Sequence, residues 1–304
     1  MNPAPPLRGA AVAGSVALLA VAMASIHIGA AVAKRGLFPV VGAQGTTALR
    51  VALAALILMA VLRPWRSLPT RGQAGWILLY GVALGTMNLL FYLSLRTIPL
   101  GVAVALEFTG PLAVAMAGSR RPVDIAWVVL AAAGVLLLLP LGRLSAPLDP
   151  QGLLLALGAG ACWALYILFG RQAGVGGAGR ATALGMGVAA VIVVPVGLAS
   201  AGTALFSPAL LPAALAIAVL SSALPYSLEM VVLGRLPTRT FGVLMSLEPA
   251  MGTLSGLILL GERLTLVQTA AIACIMAASV GCAASARAET PGGRRPLAPE
   301  GDPP

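Results

Sequence analysis

Gly242-Val243-Leu244-Met245-Ser246-Leu247-Glu248, followed at once by Pro249, sets one carboxylate into a run of apolar residues. An echo stands 141 residues earlier (248 − 107): Gly101-Val102-Ala103-Val104-Ala105-Leu106-Glu107, with Pro111 one turn further on. Both read G-V-x-x-[A/S]-L-E. A repeat with a buried acid in each copy is the mark of a duplicated membrane carrier.

The rest of the chain agrees. It is 59% hydrophobic and only 9% charged, with a mean hydropathy of +0.99, where about 25% charged is usual for a soluble domain. Apolar runs occupy approximately 11–33, 42–62, 74–95, 99–118, 123–141, 151–170, 181–201, 209–233, 240–260 and 265–285. At about 1.5 Å rise per residue each is long enough for a hydrocarbon core of roughly 30 Å. The expected fold is therefore all-α and polytopic, with ten transmembrane helices. A cytoplasmic segment 1–10 precedes a first five-helix unit, 11–141; a linker 142–150 leads to a second unit, 151–285, and a disordered tail, 286–304. The first run also resembles a signal peptide, with Arg8 ahead and Ala31-Val32-Ala33 behind. Its length, and the need for a counterpart to span six, favour a retained helix.

The net charge of +10 is read by position. Thirteen Lys and Arg fall on one side of the alternating loops and five on the other (Lys34, Arg35, Arg96, Arg143, Arg263); Arg50 lies inside span two. The positive-inside rule places both termini in the cytoplasm, and basic loops of this kind give no case for a nucleic-acid partner. Further echoes support duplication: Thr47-Ala48-Leu49 with Thr182-Ala183-Leu184, and Leu95-Arg96 before Pro99 with Gly234-Arg235 before Pro237. Five is odd, so two such units have opposite orientations, the inverted-repeat plan of secondary transporters.

A charge in the apolar core costs at least about 2.5–3.5 kcal/mol on insertion scales, so each one asks for a reason. Four stand out: Arg50, Glu107, Glu229 and Glu248. Withdrawal from water favours the neutral form of a carboxylic acid, so such a group can exchange a proton near neutral pH; ionised, it can hold an ammonium group. Arg50 offers a planar fork suited to a carboxylate, and acid plus arginine complements a zwitterion. The competing reading is that Arg50 and one Glu neutralise each other to lock two helices. Prolines add freed carbonyls: Pro111 withholds its N–H from Glu107, Pro249 from Met245, Pro225 from Ser221 and Pro195 from Val191. For Pro195, without polar neighbours, an ordinary kink suffices.

In span three, Gly81, Gly85, Asn88 and Tyr92 share one helical face; in span eight, Ser222, Tyr226 and Glu229 do. Asn88, Tyr92 and Tyr226 are candidate cavity residues, although such stripes more often join helices. Gly252 and Gly256 read as a packing surface. His27, the only histidine, is either a proton relay or a hydrogen-bonded interface residue, the second being favoured. Cys162, Cys274 and Cys282 have no C-x-x-C spacing and read as structural thiols. No P-loop, metal-ligand or hydrolase motif appears, and no cofactor is called for.

The runs "GVAVALEFTGPLAVAMAGSRRPVDIAWVVLAAAGVLLLLPLG" and "LPYSLEMVVLGRLPTRTFGVLMSLEPAMGTLSGLILLGERLT" resemble the two halves of bacterial threonine/homoserine exporters. These form an EamA-type branch of the drug/metabolite transporter superfamily. The resemblance spans most of 11–285. It implies an inverted repeat in the inner membrane and efflux of small amino acids in exchange for protons. It carries over Glu107, Glu229 and Glu248 as polar landmarks. The expected partners are thus a small amino acid, protons and lipid, with monomer and homodimer both open. Alternatives are export of another metabolite or a cationic drug, which an inward-pointing Arg50 would oppose, or a lipid-handling protein.

Overall fold

Backbone N–H and C=O groups at membrane depth must be satisfied within the segment itself, which makes long apolar runs helical. The computed structural model describes residues 9–117, 122–138, 148–235, 245 and 247–287, and every regular element among them is helical. The principal helices are α1 (Gly9–Gly36), α2 (Phe38–Leu62), α3 (Arg71–Ser94), α4 (Leu100–Glu107), α5 (Thr109–Ala117) and α6 (Pro122–Leu138). They continue with α7 (Pro150–Ala173), α8 (Ala178–Ala201), α9 (Leu211–Ala218), α10 (Leu224–Arg235), α11 (Glu248–Ser255) and α12 (Leu266–Arg287). Six stretches are long and apolar enough to cross a membrane; four shorter apolar helices lie at Leu100–Val114, Ile125–Leu137, Glu248–Leu260 and Leu266–Ala278. Residues 1–8, most of the 142–150 linker and the tail from 288 lie outside the described residues, as do Gly242–Leu244 and Ser246 of the opening motif.

Helices break where the sequence withholds a donor. Pro111 cannot give an N–H to the Glu107 carbonyl, and α4 ends at Glu107 before α5 begins at Thr109. The one span that the sequence shows, Leu100–Val114, is interrupted only at Phe108, so the acid sits beside a kink within it. Glu248 likewise opens α11, with Pro249 in its first turn. Pro225 follows a π-helical turn, Val219–Ala223, that joins α9 to α10. A second such turn, Gly256–Leu260, follows α11 and stops at Gly261 in the left-handed region. Pro195 sits inside an unbroken α8 with Val191 exposed, as an ordinary kink requires. Gly42 interrupts α2 at φ 67°, a conformation that only glycine adopts readily, and the Thr46 hydroxyl donates to its carbonyl at 2.7 Å.

The bundle is dense at the helix crossings. An added Cβ at Gly110 would lie 1.8 Å from the Gly160 carbonyl oxygen, and one at Gly160 would lie 2.7 Å from that of Glu107. Backbones of α5 and α7 are therefore in direct contact beside the break, and the freed Glu107 carbonyl faces glycine. Gly81 and Gly85 give α3 the same closeness to α8, while Gly252 receives Val104, making that G-x-x-x-G an internal packing surface. The major packed pairs are α2 with α8, α3 with α7 and α8, α6 with α12, α1 with α10, and α4 with α11. Thr47 and Thr182, buried in α2 and α8, each donate to the carbonyl four residues back, at 2.9 Å. Cys162 and Cys274 are free thiols, half-buried rather than buried.

Polar ties close both ends of the bundle. At one end Lys34 of α1 pairs with Glu262 at 2.8 Å, while the same carboxylate accepts the Leu100 N–H at the start of α4, also at 2.8 Å. At the other, Thr70 and Gln73 form a capping box on α3. There Gln73 donates to the Val175 carbonyl at 2.9 Å, and Arg180 reaches the Ser67 carbonyl at 3.1 Å and Gln73 at 3.2 Å.

Candidate functional site

Between these ends lies a cavity whose wall includes Arg50 of α2, Asn88 and Tyr92 of α3, Glu107 of α4, Tyr226 and Glu229 of α10, and Glu248 of α11. All seven residues singled out in the sequence thus meet in one place, drawn from five helices. His27 of α1, Trp163 of α7 and the apolar side chains of Ile26, Met87, Phe91 and Val104 complete most of the lining. Among the described residues no cluster of His, Cys, Asp and Glu has the makings of a metal site.

Arg50 is 2% exposed. Its Nη1 donates to the Ser221 carbonyl at 2.6 Å and its Nη2 to Asn88 Oδ1, and its guanidinium lies 4.2 Å from the centre of the Tyr92 ring. The Ser221 carbonyl is the one that Pro225 leaves without a helical N–H, so the proline in one helix supplies the acceptor for an arginine in another. Asn88 is itself held: Nδ2 donates to the Leu84 carbonyl at 2.8 Å, and Oδ1 also accepts from Tyr226 at 3.1 Å. Every partner of Arg50 is neutral. Ion pairs among the described residues are His27–Glu248 and Lys34–Glu262, so no described carboxylate lies within ion-pair distance of Arg50, although Glu107 shares the cavity wall with it. A buried guanidinium with no directly bonded carboxylate is costly to hold. Arg50 Nε and Tyr92 Oη are buried without a hydrogen-bond partner.

The three acids differ in their surroundings. Glu107, 8% exposed, makes no hydrogen bond or ion pair with any described residue. Glu229 accepts a long hydrogen bond from Tyr166 at 3.5 Å. Glu248 is bonded to His27, which is therefore the hydrogen-bonded histidine the sequence favours, with a titratable acid as its partner. Gly185, the position that answers to Arg50 in the second copy, is filled from outside: an added Cβ there would lie 2.2 Å from the Tyr80 ring.

Sequence reasoning passed over Trp163 and Tyr166. Trp163 packs edge-on against Phe108 at 5.9 Å, and Tyr166 sits between Tyr80 and Tyr226 at 5.1 and 6.1 Å. Tyrosine and tryptophan belong to membrane interfaces, and all four tyrosines of this chain are instead buried.

The EamA-like transporter family matches residues 150–283. The threonine/homoserine exporter RhtA of Escherichia coli strain K12 is 56% identical over 275 residues, 90% of this chain and 93% of that protein. The exporter of the same name from Salmonella typhimurium strain SL1344 is 56% identical over 274 residues, 90% and 92% of the two chains. A crystal structure of a protein 17% identical to this one superposes with a TM-score of 0.62, covering 92% of this chain and 99% of the other; at that identity the likeness concerns the fold alone.

Proposed function

We propose that this chain, which belongs to the EamA-type family of threonine/homoserine exporters in the drug/metabolite transporter superfamily, exports threonine, homoserine or closely related amino acids by alternating access, in exchange for protons. It is a multi-pass inner-membrane transporter and not an enzyme. The observation that carries the substrate reading is Arg50, buried in the cavity wall with neutral partners only. A zwitterion would bring the missing carboxylate to that guanidinium, and its ammonium group would go to an acid without a partner, for which Glu107 is the candidate. An inward guanidinium opposes a simple cation, which disfavours the drug-export reading.

Ten spans in two inverted repeats, 11–141 and 151–285 with both termini cytoplasmic, fit the packing. Counting α4–α5 and α9–α10 as one span each gives ten, with α11 in the ninth. Spans two and seven, four and nine, and five and ten pack together; three packs on six and seven, one on eight, and two on eight. Exchanging each span with the one five places later returns the same set, as a two-fold axis in the membrane plane requires. The matching Thr47 and Thr182 back-bonds support the same relation. The ties at the two ends both join the first half to the second, so each is a natural gate, and transport opens one while the other holds.

The test is counterflow in proteoliposomes with a panel of labelled amino acids. Saturable exchange of threonine or homoserine, and none of a cation of similar size, is expected. Exchange of cations without exchange of any small amino acid would overturn the reading.

A further inference from the structure

We propose that His27 and Glu248 together form the proton-exchanging site, separate from the groups that hold the substrate; the proposal rests on the antiport reading above and assigns its proton. Two titratable side chains, 5% and 2% exposed, are bonded to each other across α1 and α11, 221 residues apart in sequence. They belong to the first and second halves of the chain. No other acid of the cavity has a titratable partner of this kind: Glu107 is unpartnered, and Glu229 meets only a tyrosine hydroxyl. From α7, Trp163 lines the cavity and Gly160 lies against α4, and neither titrates. The two acids of the repeated motif are thereby given different work.

The titratable and charged groups facing the pair across the cavity are Arg50 on α2, Glu107 on α4, Glu229 and Tyr226 on α10, and Tyr92 on α3. With no proton beyond the one on the neutral ring, the pair carries one negative charge. Uptake of a proton, on the ring nitrogen or the carboxylate oxygen, makes it neutral. That step removes a negative charge from the cavity in which an ammonium group must be held, so proton and zwitterion compete for the same electrostatic field without sharing an atom. The proton enters from outside, is carried on the pair and leaves to the cytoplasm; the amino acid crosses the other way. Because the bond joins the halves, the proton is also placed where their relative movement is felt.

Glutamine at position 27 can still donate a hydrogen bond to Glu248 but cannot titrate, so His27→Gln separates proton handling from structure. In proteoliposomes the ratio of pH-gradient-driven accumulation to threonine counterflow falls by about 5–150-fold, the usual range of a coupling between sites. Glu248→Gln lowers the same ratio. An unchanged ratio in both variants, or a parallel loss of both activities in His27→Gln, would overturn the proposal. His27 is the only histidine, so in ¹⁵N-histidine-labelled protein one imidazole signal reports the site without any transport assay. That signal responds to pH, and Glu248→Gln changes the response. A ring that is silent to pH, or whose response ignores Glu248→Gln, also overturns it. Absence of amino-acid counterflow in the unaltered protein would instead sink the substrate reading, leaving the imidazole titration to decide the proton site.

Discussion

Replacing Arg50 by methionine removes transport and leaves the protein folded. The guanidinium is buried, charged at every accessible pH, and supplied with neutral acceptors only: the Ser221 carbonyl, Asn88 and the Tyr92 ring. If its purpose were to lock helices, it would be expected opposite a carboxylate, and its loss would unfold the bundle. A buried cation with no hydrogen-bonded carboxylate burdens the empty protein, and relief of that burden offsets the about 1–3 kcal/mol lost where the Ser221 carbonyl and Asn88 are left without their donor. The bound substrate, by contrast, loses the permanent cation of the cavity wall. Truncating one member of a buried, hydrogen-bonded charge pair costs about 2–5 kcal/mol, roughly 30-fold to several-thousand-fold in affinity. Arg50→Lys keeps the charge but not the fork that reaches Ser221 and Asn88 together, so an intermediate loss is expected. Counterflow against substrate concentration, beside a melting curve of each variant in detergent, reads both effects. Wild-type transport by Arg50→Met would remove the substrate anchor from the account.

Glu107→Gln abolishes substrate exchange and proton-driven efflux together, again with the protein folded. Glutamine matches the carboxylate in size and leaves no buried hydrogen-bond partner stranded, because Glu107 has none among the described residues. What disappears is the negative charge that meets the ammonium group, a loss of the same order, about 2–5 kcal/mol. Glu248→Gln also removes proton-driven efflux, yet through the coupling rather than the binding. The two variants therefore separate in counterflow. Full transport by both would contradict any role for the repeated acids.

The apolar spans and the seven polar residues that meet in the cavity are legible in the sequence because both are consequences of one solvent. Lipid forces long apolar runs into helices and makes each exception visible. The link from Pro225 to a free Ser221 carbonyl is equally local, following from the missing N–H. That Arg50 is the group which takes this carbonyl is not local, since it depends on how α2 packs against the turn between α9 and α10. The same holds for His27 and Glu248: nothing near either residue indicates the other, and only the packing of spans one and nine brings them together. Trp163 and Tyr166 stayed hidden because α7 is apolar on all sides, so no periodicity marks the face that turns inward. The break after Glu107 was half visible. Pro111 announces the lost hydrogen bond, but the close approach of Gly110 to Gly160 beside it belongs to the packing of α5 on α7.

One zwitterionic amino acid binds in this cavity between Arg50 and Glu107. A structure determined with threonine bound tests it most directly. Density is expected inside the cavity, with the substrate carboxylate within hydrogen-bond distance of the Arg50 guanidinium and the ammonium group on Glu107. Threonine seated elsewhere, or with its carboxylate turned away from Arg50, would contradict it.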